Sequence, residues 1–173
     1  LSTIMSRVVC LRFQPVPIEL VESLLVSKGV ESAQAEVLAR ISEGSVGTAL
    51  SLVEQNALEL RQQAVAFIEA LPLNIPLNYL AGRAWQQKCF ERPEALLLAK
   101  MLQLLMRDLI MGTLGLDNKI YNCDLQGELQ KLAKDWQLSA LKAALQHIQE
   151  AYAALENSVG VRLVLESMAL KID

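Results

Sequence analysis

Pro93-Glu94-Ala95-Leu96-Leu97-Leu98-Ala99-Lys100-Met101-Leu102-Gln103-Leu104-Leu105-Met106-Arg107-Asp108-Leu109-Ile110 is the stretch that decides the fold. Pro93 suits the first turn of a helix, where its missing N–H costs nothing. Lys100, Gln103 and Arg107 then fall on one narrow polar stripe, and leucine and methionine cover most other directions. A helix this apolar is central to a bundle or lies at a subunit interface. The apolar stretch over residues 94–116 is broken by Lys100, Arg107 and Asp108, so it does not supply the ~18 to 20 uninterrupted apolar residues that cross a bilayer. No membrane partner is expected.

The rest of the chain agrees with an all-α class. Hydrophobic residues make up 53% of the 173 residues and aromatics only 5%, a Leu/Ala/Val-rich mixture that favours helix-on-helix packing over sheets. Pro17 opens a first helix with Leu20, Val21, Leu24 and Leu25 on one face and Gly29 as its stop. Ser32 is placed to cap a second helix carrying Leu38 and Ile41, which ends near Gly44; Ser45 is placed to cap a third carrying Val46, Ala49, Leu50 and Val53. Ala57, Leu60, Ala64, Phe67, Ile68 and Leu71 line a fourth. These four make a small bundle.

Pro72 and Pro76 disfavour helix at the residues before them and mark a boundary. Beyond it a helix is expected over residues 77–88, then the long one. Leu125, Leu129, Leu132 and Trp136 line a shorter helix, and Leu138, Leu141, Leu145, Ile148, Tyr152 and Leu155 another, with Ser139 as its cap. A last helix over residues 159–172 sets Arg162 and Glu166 at i, i+4 on its polar side and Leu165, Met168 and Ile172 opposite. The exception to helix is residues 7–13, where Val8, Val9, Cys10, Leu11 and Phe13 read as a short strand closed by Pro15 and Pro17. It is a strand without a sheet.

Composition also limits function. A net charge of −3 and a pI near 5.3 argue against a chain that works by coating phosphates. Cys10, Cys89 and Cys123 are odd in number, far apart and form no Cys-x-x-Cys pair, so they read as idle or buried thiols and no metal site is expected. The first residues show no basic region followed by an apolar run and a small-residue cleavage site, which makes the cytoplasm the expected location. His147 has no acidic or cysteine partner at ligand spacing and reads as a surface or half-buried imidazole; Trp85 and Trp136 read as core or interface anchors.

Three patches carry a resemblance. Thr3-Ile4-Met5-Ser6-Arg7 resembles the Thr-Ile-x-Ser-Arg-Cys run that ends the ATPase core of bacterial clamp-loader proteins, with Val8 here in place of the usual cysteine. Gly44-Ser45-Val46-Gly47-Thr48-Ala49-Leu50 resembles the Gly-Ser-x-x-x-Ala-Leu segment of their lid, and residues 157–172, with Arg162-Leu163-Val164-Leu165-Glu166, resemble their closing collar helix. Together with Met106-Arg107-Asp108-Leu109-Ile110, these patches liken the chain to the delta prime branch of the clamp-loader AAA+ family, DNA polymerase III subunit delta prime, as a carboxy-terminal fragment.

The resemblance implies a remnant of the AAA+ core over residues 1–14, a lid domain over 15–71 and an oligomerisation collar over 76–173. It implies that Arg7 acts in trans as an arginine finger on ATP bound by a neighbouring subunit, with Ser6 and Thr3 supporting the motif. Without the resemblance, Arg7 is a solvated charge beside a strand. The lid segment of Gly44, Ser45 and Gly47 would sense no nucleotide, because the ATP-hydrolysing gamma/tau paralogue carries arginine at the Gly47 site. Arg107, Asp108, Arg162 and Glu166 are candidate collar-interface residues, an interface ion pair or a solvated edge in the case of the first two. The implied partners are gamma/tau and delta, with the sliding clamp and primed DNA reached through the assembled loader. The implied fragment is not an enzyme and binds no cofactor itself. Two other readings remain at this point: a gamma/tau-type ATPase fragment, and a helical interaction module unrelated to replication.

Overall fold

A computed structural model describes residues 7–8, 14–71 and 90–172. Eight α-helices run through these residues: α1 (Ile18–Ser27), α2 (Ser32–Ile41), α3 (Val46–Glu54), α4 (Ala57–Ala70), α5 (Arg92–Thr113), α6 (Gln126–Ala133), α7 (Leu138–Glu156) and α8 (Val161–Ile172). Two single 3₁₀ turns, Asp117–Lys119 and Cys123–Leu125, lie between α5 and α6. No strand occurs among the described residues. Of the expected strand, Arg7 lies in a turn and Val8 in a bend, and residues 9–13 lie outside the described residues. The Pro72–Pro76 boundary, the helix expected over 77–88, and Trp85, Cys10 and Cys89 lie outside them too.

α5 is the axis. It packs against α4 on one side and against α6, α7 and α8 on the other, while α1 lies on α2, and α3 touches α1, α2 and α4. Leu98, Met101, Leu102, Leu105, Met106 and Leu109 of α5 are fully buried. Each such side chain contributes about 1.5–3 kcal/mol of apolar burial, so this helix is the largest single source of cohesion. Lys100 is exposed and Gln103 and Arg107 half-buried, as the polar stripe requires. One contiguous cluster of buried apolar side chains runs from Val21 in α1 to Ile172 in α8. Arg92, at the start of α5, donates to the carbonyls of Leu155 and Val159 and so closes the end of α7 with a cation, where the helix dipole favours one.

Local signals were met unevenly. Gly29 takes a φ of 92°, and the N–H groups of Gly29 and Val30 return to Val26 and Leu25 at 2.9 and 3.1 Å, closing α1 as expected. Ser45 caps α3. Ser32 and Ser139 do not cap: they lie inside α2 and α7, and Glu31 and Gln137 hold the extended cap positions. A serine cap is worth only about 1 kcal/mol, less than burying one leucine, so the packing register sets these starts. Leu20 is 61% exposed and Val53 38%, and Leu52 is buried where Val53 was expected. In a helix as short as α3, both Ala49–Leu52 and Ala49–Val53 satisfy a 3.6 period, and the neighbours α1, α2 and α4 select the first.

Candidate functional site

The lid-like segment is built on a backbone constraint. The chain leaves α2 with two successive left-handed residues, Glu43 at φ 52° and Gly44 at φ 80°. The Gly44 carbonyl accepts the Val16 N–H at 2.9 Å, drawing the Pro15-Val16-Pro17 strap across the turn. A Cβ on Gly44 would stand 2.6 Å from the Val16 carbonyl oxygen and 2.7 Å from the Pro15 Cβ, so both conformation and space demand glycine. Next, the Ser45 hydroxyl oxygen accepts the Thr48 N–H at 3.2 Å and the Thr48 hydroxyl at 2.8 Å, which fixes the first turn of α3. Gly47 is exposed, and apart from its chain neighbours and its own helix backbone none of the described residues comes within 4 Å of where its Cβ would be. Packing among them therefore does not exclude a side chain there. Gly44→Ala is expected to cost about 2–3 kcal/mol in urea denaturation through backbone strain, whereas Gly47→Ala should stabilise by at most about 1 kcal/mol; equal effects would contradict the strap geometry.

Arg7 is exposed in its turn. Ser6 and Thr3 lie outside the described residues.

The Arg107-Asp108 pair links the surface of α5 to its buried side. Asp108 is wholly buried: its Oδ2 accepts the Asn122 N–H at 2.9 Å and the Asn122 side-chain amide at 2.7 Å, and its two oxygens share the Tyr121 N–H at 3.1 Å. Arg107 Nη1 donates to Asp108 Oδ1 at 2.8 Å and to the Lys119 carbonyl at 2.9 Å, and its guanidinium lies 3.8 Å over the Tyr121 ring. Within this chain the pair turns inward and holds the 117–125 segment to α5, so Asp108 offers no surface to a partner. Of the two, Arg107 alone reaches solvent, its side chain 29% exposed.

Sequence reasoning missed what lies on the far side of this pair. Arg61 of α4, 7% exposed, donates from Nη1 and Nη2 to the two Asp124 oxygens at 2.8 and 2.6 Å and from Nη1 to Asn122 Oδ1 at 3.2 Å. Arg61 precedes Ala64 by three residues and Ile68 by seven, which places it on the buried face of α4 and was a readable sign that it needs an acid. Its partner, 63 residues further along, left no such sign. The buried Arg61 Nε has no hydrogen-bond partner among the described residues. The same segment touches α2. The Tyr121 hydroxyl donates to Glu43 Oε1 at 3.1 Å, and burial pushes its phenol up against the opposing pull of Arg107. Burial, reinforced by Glu36, likewise pushes the Cys123 thiol up.

On the outer face of α8, Arg162 Nε donates to Glu166 Oε1 at 2.8 Å, as the i, i+4 spacing indicated, beside the exposed Leu163 and Leu170. Glu150 of α7 meets Lys171 of α8 at 3.4 Å and lies 3.4 Å from the half-buried His147; hydrogen bonding from His147, then Gln146 and Lys171, lowers its carboxyl. Trp136 is partly buried against the core, as anchor or core residue. No described helix is long and apolar enough to cross a membrane.

A family model described as DNA polymerase III, delta subunit, C terminal, matches residues 86–173, which take in all of α5 to α8. No curated protein matches the chain. The match covers just over half of the chain and sets aside the reading as a helical module unrelated to replication. With its buried α5 axis and the α6–α8 bundle around it, the chain belongs to the family of carboxy-terminal domains of the DNA polymerase III delta subunit, non-catalytic accessory parts of the clamp loader in DNA replication.

Proposed function

We propose that the chain is the lid-and-collar part of a delta prime subunit: residues 1–14 the end of an AAA+ core, 15–71 the lid and 76–173 the collar. In this reading the collar assembles with gamma/tau and delta, and Arg7 reaches ATP held by a neighbouring subunit to help load the sliding clamp onto primed DNA. The chain itself binds no nucleotide. The observation that carries the proposal is the family match over residues 86–173, preceded at the resembling spacing by the Gly44–Gly47 turn. One feature favours delta prime over a gamma/tau fragment, and two support the finger role assigned to it. Gly47 supplies no cation where the motor paralogue has arginine, although the described residues leave room for a side chain there. The Thr3 to Arg7 run resembles the finger motif. Arg7 is exposed, as a side chain that reaches a partner must be.

A second reading, a delta subunit proper, is favoured by the description of the matching family, which names delta. The first test is association. The chain is expected to be retained by the collar region of gamma/tau in a pull-down and to hydrolyse no nucleotide; absence of retention would contradict the assembly role.

A further inference from the structure

The Arg61–Asn122–Asp108 relay joins the first four helices to the last four by a route that apolar packing does not need. α4 and α5 already bury Leu60, Ala64, Phe67 and Ile68 against the common core. Such side chains tolerate sliding and tilting, because dispersion contacts are weakly directional and aliphatic cores repack at small cost. A guanidinium gripping one carboxylate at 2.6 and 2.8 Å does not. From Arg61 the hydrogen bonds continue through Asn122 to Asp108 on α5, and from Tyr121 to Glu43 at the end of α2. The 117–125 segment is thereby fixed at α4, at α5 and at the turn that leaves α2.

We propose that this relay is a register latch: it sets the angle at which α1–α4 sit on α5–α8. The inference stands on geometry and is independent of the functional reading. Its test measures a distance distribution rather than a melting point. Spin labels carried on ketone side chains introduced at the exposed positions Glu54 of α3 and Lys142 of α7 leave Cys123 untouched. In the full 173-residue chain the pair should give one narrow distance peak. Arg61→Met, which keeps an unbranched apolar stem and removes the guanidinium, should at least double the width of that peak while leaving helical circular dichroism unchanged. Asp124→Ala, at the rim with a side chain 38% exposed, should broaden it in the same sense without opening the core. Lys171→Met, which removes an exposed pair between α7 and α8, should not. An unchanged width in a folded Arg61→Met or Asp124→Ala chain would overturn the latch, as would equal broadening by Lys171→Met. Loss of folding in both relay variants would assign the network to stability instead.

Discussion

Asp108→Ala is expected to destabilise the chain by about 3–5 kcal/mol, the cost typical of removing one partner from a buried, hydrogen-bonded charge cluster. The size follows from what the carboxylate leaves behind. It is fully buried and accepts the Tyr121 and Asn122 main-chain N–H groups and the Asn122 side-chain amide, so its loss strands donors where water does not reach. Each stranded donor costs about 1–3 kcal/mol. Asp108→Asn should fall between, because one amide oxygen remains as acceptor while the new NH₂ faces donors. Urea denaturation measures the loss, and amide exchange should quicken first in residues 117–125. A loss below about 1 kcal/mol would mean that this segment is held by other contacts.

The second large effect belongs to the assembled loader. If Arg7 stands beside a neighbour's triphosphate, Arg7→Ala should slow that site on the order of 10³- to 10⁵-fold and lower clamp- and DNA-stimulated ATP turnover, with assembly intact. The planar, permanently charged guanidinium is the operative feature, since it meets charge developing on a transferred phosphoryl group with paired donors. Arg7→Lys keeps the charge and loses the fork, so it should restore only part of the rate. Turnover unchanged by either substitution would remove the finger and leave the delta reading ahead of delta prime.

Much of the architecture was legible because it rests on short-range rules. The apolar coverage of residues 93–110, the Ser45 cap, the Gly29 stop and the i, i+4 spacing of Arg162 and Glu166 are each decided within a turn or two of helix. The failures are long-range. Ser32 and Ser139 lost their caps to the packing register, and the exposure of Leu20 and Val53 was settled by neighbouring helices. Arg107 and Asp108 were visible as an anomaly on an apolar helix, yet their direction depended on Asn122 and Tyr121, across a loop of two 3₁₀ turns with no periodic signature. Arg61 and Asp124 meet across 63 positions, a pairing that no local pattern encodes. Gly44 is the converse case: the motif drew attention to it, and the crossing of Val16 and Pro15 supplied the physical reason.

The most direct measurement is a structure of the assembled loader with ATP or a transition-state analogue bound in the neighbouring subunit. The account predicts the Arg7 guanidinium within hydrogen-bond reach, about 3 Å, of that nucleotide's terminal phosphate, with residues 86–173 packed into the collar. Arg7 turned away from every nucleotide in the complex would contradict it.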